Sequence, residues 1–437
     1  MPGVMIAFEV IKILFACAFG ACVGSLINVL AYRIPRGLDY VTPTSRCPEC
    51  DTPLTWRENI PIFGWLTLRG KCRFCGTPIS AEYPIVEAFV AAVWGLTFLI
   101  CYADPFMWHG RLLEPLRPVW SDGFFSHSWP IYVIVVMLFS SLVAMTLVDA
   151  KTYTIPPVLT NVPTALSVGH VAFAIWVQYE HGALIGRPDG WSIWIPTPHD
   201  WDLIGGAIGG IAGLVIANLL LTFGVLKRSF ADYEQWEQAH AAAQPVDPAA
   251  DPNAEPNSDP AMWIAYPHAR REMLREMLFL GPPVALGLAG AALAVRLGGP
   301  WILDANAGVW ESAHPASLWL RVLAGVLIGY LVGGGVVWAM RIVGSLAFGK
   351  EAMGLGDVHM MAAVGACLGW IDPVLAFFGA AFLGMGWWAL GMIFRRMSRR
   401  VMPFGPFLAM GTLIVWFAKP GLSWLISRAM DESIVIP

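Results

Sequence analysis

The chain has 437 residues, 57% of them hydrophobic and only 13% charged, and its mean hydropathy is +0.61. A soluble domain carries about 25% charged residues, so the composition argues against a water-soluble globular fold. The net charge of −4 argues against nucleic acid as a partner. The 44 Gly and 21 Trp suit membrane helices and their interfacial belts.

A bilayer-spanning helix needs about 20 mostly apolar residues. Runs of that kind occupy roughly 4–30, 84–103, 130–149, 158–178, 202–225, 277–297 and 317–343, followed by a short one at 358–370 and two more at 373–394 and 404–427. They are continuous rather than alternating, which favours helices over a barrel. The expected fold is therefore an all-α polytopic membrane protein with about ten membrane segments. The first basic residue, Lys12, already lies inside the first run, so a retained helix is expected there rather than a cleavable signal.

Basic residues set the expected orientation. They crowd the loop 31–83, the segment 226–276 and the turn 395–400, with Lys151, Arg341 and Lys350 at helix ends on the same side. The other side holds Arg111, Arg117, Arg187, Lys419 and Arg428. The positive-inside rule makes the first set cytoplasmic in a multi-pass membrane protein. The expected organisation is a first membrane helix at 1–30, a cytoplasmic tetracysteine unit at 31–83, and membrane helices at 84–225. A cytoplasmic, partly disordered insert at 226–276 and a second helical block at 277–437 follow. Residues 240–260 (HAAAQPVDPAADPNAEPNSDP) contain almost no large apolar side chain and cannot bury a core. The small-residue runs at 202–225 and 317–343 suit close helix packing.

Two C-x2-C pairs, Cys47/Cys50 and Cys72/Cys75, lie 21 residues apart, close to a zinc-ribbon spacing. Four thiolates close a tetrahedral Zn2+ site and leave no open position, so a structural rather than catalytic zinc is expected. A reducing compartment favours metal over disulfides. The remaining cysteines (Cys17, Cys22, Cys101, Cys367) sit in apolar stretches and read as core thiols.

Ionisable residues at membrane depth invite a functional reading. Asp149 ends the third run in MTLVDAKTYTIPP, and Asp357 follows a glycine pair in GKEAMGLGDVHMM. The expected topology puts both at one membrane face. Two close carboxylates can share a proton, one activating water while the other polarises a carbonyl. Spacing alone is equally compatible with two unrelated helix-end caps. Gly354 and Gly356 would allow a substrate backbone to approach, and Glu351 and Glu87 would face a positively charged substrate or act as plain helix-end charges.

These residues resemble a known family. GSLINVLAYRIPRG (24–37), the two C-x2-C pairs, YPIVE (83–87), LVD-x5-IP (147–156), GKEAMGLGDVHMMAAVGACLGW (349–370) and PFGPFLAMG (403–411) resemble, in order, the bacterial type IV prepilin peptidases, membrane aspartic proteases of the GxGD type. The resemblance implies cleavage of the basic leader of prepilins and pseudopilins at the cytoplasmic face of the lipid bilayer. It implies Asp149 and Asp357 as catalytic residues and Cys47, Cys50, Cys72 and Cys75 as zinc ligands. It also implies methylation of the new N-terminus with S-adenosylmethionine. Pro157 stands where the family usually has a second Asp, His359 where a Lys is common, and 184–325 has no counterpart in a typical member. The competing reading is a non-enzymatic, zinc-stabilised membrane scaffold or a transporter.

Overall fold

The computed structural model describes residues 2–41, 45–103, 116–121, 125–181, 193–233, 235–236, 266–304, 308–393 and 403–431. The expected disordered stretch 240–260 and the basic turn 395–400 lie outside them. In chain order the helices are α1 (Pro2–Arg33), a short α2 (Phe63–Thr67), α3 (Glu82–Tyr102), α4 (Phe125–Thr152), α5 (Pro157–His181) and α6 (Trp201–Thr222). They continue with α7 (Ala269–Leu297), α8 (Leu318–Phe348), α9 (Leu355–Leu368), α10 (Ile371–Ile393) and α11 (Gly405–Met430). Among the described residues, nine of them are long and apolar enough to cross a membrane. The tenth, α9, has 14 residues and at 1.5 Å per residue spans only about 21 Å. An all-α polytopic fold of about ten segments is thus observed. One element was not anticipated: strands β1 (Trp301–Asp304) and β2 (Val309–Ser312) pair antiparallel, Trp301 opposite Ser312.

Local chemistry explains several boundaries. Pro157 opens α5, where its missing N–H is not needed and its fixed φ suits the first turn. Gly349 closes α8 at φ 68, its N–H returning to Ser345 O.

The core centres on α4. Val135, Val136, Leu138, Phe139, Leu142, Met145 and Val148 are fully enclosed, because α4 is contacted by α1, α3, α5, α9 and α11. Its neighbour α9 is buried from Asp357 to Leu368 apart from His359, so a helix too short to span is surrounded by protein rather than lipid. The expected close packing of small residues is seen twice. In α6 against α7, a Cβ on Gly209 would stand 2.0 Å from Leu286 O. In α8 against α9, a Cβ on Gly329 would stand 2.0 Å from Gly365 O, and one on Gly365 1.9 Å from Gly329 O. These helices touch backbone to backbone. Gly365→Val is expected to force α8 and α9 apart, costing at least about 1–3 kcal/mol, read as a fall in the thermal unfolding midpoint of the protein in nanodiscs.

Candidate active site and metal centre

The chain leaves α1 into the tetracysteine unit and returns through α3. Lys151, near the end of α4, pairs with Glu82 at the start of α3. The unit therefore sits at the same end of the bundle as Asp149.

The unit is built from two copies of one local turn. Cys47 N–H donates to Thr52 O and Asp51 N–H to Cys47 O; Cys72 N–H donates to Thr77 O and Gly76 N–H to Cys72 O. Bridges Arg46–Pro53 and Lys71–Pro78 flank them. Each turn needs a left-handed residue after its second cysteine. Gly76 supplies one freely at φ 72, and Asp51 adopts φ 53 with Arg46 holding its carboxylate at 3.1 Å. The turns direct four sulfurs to one point: all lie within 4.8 Å of one another, Cys47 to Cys75 at 3.7 Å and Cys50 to Cys72 at 4.0 Å. Metal–sulfur bonds of about 2.3 Å in a tetrahedron put the sulfurs about 3.8 Å apart, so these residues fit one metal ion without rearrangement. Thr77, beside Cys75 Sγ at 3.4 Å, draws that thiol down to about 6, and Thr52 lowers Cys50 in the same way. Both effects favour the thiolate that a metal requires.

The unit is clamped to the membrane helices. Glu87 is buried in α3, accepts the Ile62 N–H at 2.6 Å and is reached by Ser25 of α1. Asn28 donates to Tyr83 O at 3.0 Å. Glu58 is held below the usual carboxylate range by the Thr55 N–H at 2.8 Å. A cleft of about 640 Å³ runs between the unit, α1 and the start of α3, bordered by Asn28, Tyr32, Glu58, Tyr83 and Glu87.

Asp149 and Asp357 come together from different helices. Asp149 lies in the last turn of α4 and Asp357 in the first turn of α9; both are buried and close enough to interact electrostatically. Asp149 accepts the N–H of Gly405 at the start of α11. Gly405 is a site residue that the sequence reading did not single out, although it lies in the quoted PFGPFLAMG block. A Cβ there would stand 2.5 Å from Asp149 Oδ2. A side chain at position 405 would therefore displace that carboxylate.

Gly354 caps α9 in extended conformation at φ −72, ψ 148, exposed, and accepts nothing tighter than Asp357 Oδ2 at 3.8 Å from a notional Cβ. The space beside Gly356 is filled instead: Ile155 Cβ lies 2.9 Å from where a side chain would start, so this glycine lets α9 pack on the loop after α4. Glu351 is bound to Arg341 at 2.6 Å. His359 is exposed, its Nδ1 2.7 Å from Leu355 O one turn back on its own helix. Arg341, read from sequence as a helix-end charge on the basic side, is 1% exposed and donates to Glu276, Glu351 and the Met353 carbonyl.

The fold is that of a polytopic membrane protein with a cysteine-rich unit capping the end of the bundle where two buried acids meet. Residues 18–101 match the family described as the bacterial peptidase A24 N-terminal domain. The chain is 35% identical over 176 residues to the prepilin leader peptidase/N-methyltransferase of Myxococcus xanthus, covering 40% of this chain and 45% of that protein. It is 30% identical over 187 residues to the protein of that name from Klebsiella pneumoniae, covering 40% of this chain and 70% of that protein. A third relative of the same name, from Dichelobacter nodosus, is 30% identical, with 42% of this chain and 65% of that protein covered. No solved structure matches the chain significantly. The chain belongs to the prepilin leader peptidase/N-methyltransferase family. The match spans less than half the length of the Myxococcus relative.

Proposed function

We propose that the protein is a membrane aspartic endopeptidase that removes the leader of type IV prepilins and pseudopilins at the cytoplasmic face of the inner membrane. The observation that carries this reading is the meeting of Asp149 and Asp357, two buried carboxyls with 207 residues between them in sequence, within electrostatic reach of each other. One carboxylate takes a proton from water as it attacks the scissile carbonyl; the other, protonated, donates to the carbonyl oxygen. The tetrahedral adduct then collapses: the first acid passes its proton to the departing amine while the second takes back a hydroxyl proton as the carbonyl re-forms, and the pair returns to its starting state. Gly354, exposed at the mouth of the pair, lies along the substrate backbone. Glu351 and Glu87 border the path of the basic leader, each with part of its carboxylate already held by the chain.

The cysteine unit binds one structural Zn2+ through Cys47, Cys50, Cys72 and Cys75, and the chain is organised as 1–30, 31–83, 84–225, 226–276 and 277–437. The relatives' names carry a second activity, N-methylation, for which S-adenosylmethionine supplies the methyl group. The 640 Å³ cleft beside the cysteine unit has the size of a small-molecule site, typically about 300–1,000 Å³. A transporter would place its charges near the bilayer midplane, whereas both acids here sit at helix ends.

The test uses the full-length protein in nanodiscs with a purified prepilin, followed by mass spectrometry. Loss of the leader after its terminal glycine supports the peptidase. A further gain of one methyl group only when S-adenosylmethionine is present supports the second activity, and an intact prepilin rejects both.

A further inference from the structure

The segment joining α5 to α8 does more than lengthen the chain. Its helix α7 sends Glu276, 3% exposed, into the bundle against α8, where Glu276 Oε1 accepts from Arg341 Nε at 2.8 Å and from Ser229 Oγ at 2.7 Å. Its Oε2 accepts from Trp338 Nε1 at 2.5 Å, so both oxygens are satisfied. Arg341 then reaches forward from α8 into the turn before α9. Its Nη1 donates to Glu351 Oε1 at 2.6 Å and to the Met353 carbonyl, the residue before Gly354. The same turn is tied at two more points: Tyr266 N–H donates to Gly349 O at 2.6 Å, and Ala352 N–H to Ser345 Oγ at 3.1 Å. Phe230 covers the guanidinium at 5.3 Å and packs with Tyr233, Trp236 and Tyr266. A planar guanidinium offers donors in fixed directions. Anchored by α7 at one nitrogen, it fixes a carboxylate and a main-chain carbonyl of the turn with another.

We propose that Arg341, locked by Glu276, is a positioning residue: the α7 helix acts through it as a strut that fixes the 349–356 turn and thereby sets where Asp357 stands relative to Asp149. Arg341 touches no reacting atom in this scheme. It acts through the turn, and it supplies a fixed positive charge near Asp357. A buried arginine cannot shed its proton, so its placement depends on the carboxylates that meet it.

The proposal rests on the peptidase reading, so one arm of the test needs no cleavage. The full chain in nanodiscs is compared as wild type, Arg341→Met, Arg341→Lys and Glu276→Gln, by hydrogen–deuterium exchange over 349–356 and by steady-state cleavage of a purified prepilin. Arg341→Met is expected to raise exchange across 349–356 about tenfold, with α1 and α3 unchanged. Its kcat is expected to fall about 100-fold with KM within about threefold. Arg341→Lys keeps the charge but not the fork, and recovers only part of kcat; Glu276→Gln, which keeps one acceptor oxygen but loses the charge and turns the other oxygen into a donor, falls between. Unchanged exchange at 349–356 in a folded Arg341→Met protein overturns the strut, as does a kcat close to wild type. Where Arg341→Met does not fold, Glu276→Gln and Glu351→Gln decide by the same two readouts. Loosening of 349–356 in a wild-type background that cleaves no prepilin retains the strut and rejects the peptidase.

Discussion

Asp149→Asn and Asp357→Asn are each expected to abolish leader cleavage, with a loss of about 10³-fold or more in kcat/KM and no loss of folded protein. The carboxamide has nearly the shape of the carboxyl, so the Gly405 N–H still finds an oxygen at position 149 and the first turn of α9 still has a polar group at 357. What disappears is proton exchange. One remaining acid can activate water or polarise the carbonyl, but both are required in the same transition state. Since each acid depends on the other, the double variant is expected to be little worse than either single one. The assay is cleavage of a purified prepilin, with zinc content and thermal unfolding as controls. Processing retained by either single variant removes that residue from the mechanism.

Removal of the metal is the second large expected effect. Residues 45–79 contain few enclosed apolar side chains: apart from Cys47 and Cys72 no hydrophobic residue there is fully buried, and Trp56, Phe63, Leu66 and Phe74 are exposed. A unit of that size without its own core needs a metal or disulfides to fold. Structural zinc contributes about 10–16 kcal/mol of apparent binding free energy in comparable small domains, far more than the contacts within this unit provide. Purified protein is expected to hold about one Zn per chain. Cys72→Ser, or prolonged chelation, is expected to release it and open 45–79 to limited proteolysis while the membrane helices stay protected. A unit that stays protease-resistant without metal contradicts this account.

The membrane helices were legible because a bilayer demands long apolar runs, and each run in the sequence became a helix. Their ends were less legible. α7 begins at Ala269 rather than near 277, because Arg271, Glu272, Arg275 and Glu276 look like a solvated loop in sequence, whereas in the fold Glu272 binds Arg275 at 2.7 Å and Glu276 binds Arg341. The cysteine turns were legible from spacing, since a tetrahedral ligand set constrains sequence locally. The meeting of Asp149 and Asp357 was an assumption, because nothing in a linear sequence measures distance across 207 residues. The Glu276–Arg341 pair gave no signal: 65 residues separate its members, and an arginine near a helix end is ordinarily an interfacial anchor. Gly356 was misleading in the opposite sense, since a glycine beside a candidate acid suggests room for substrate, and Ile155 occupies that room.

The buried Glu276–Arg341 contact also dictates how the protein can be trimmed. A minimal version that joins α5 directly to α8 loses Glu276, Ser229 and the Phe230 aromatic cluster together, and leaves Arg341 with Glu351 as its one carboxylate partner among the described residues. Shortening and position 341 are therefore coupled: removing α7 strips a buried, permanently charged side chain of one carboxylate, and a neutral side chain at 341 in the same step offsets that cost.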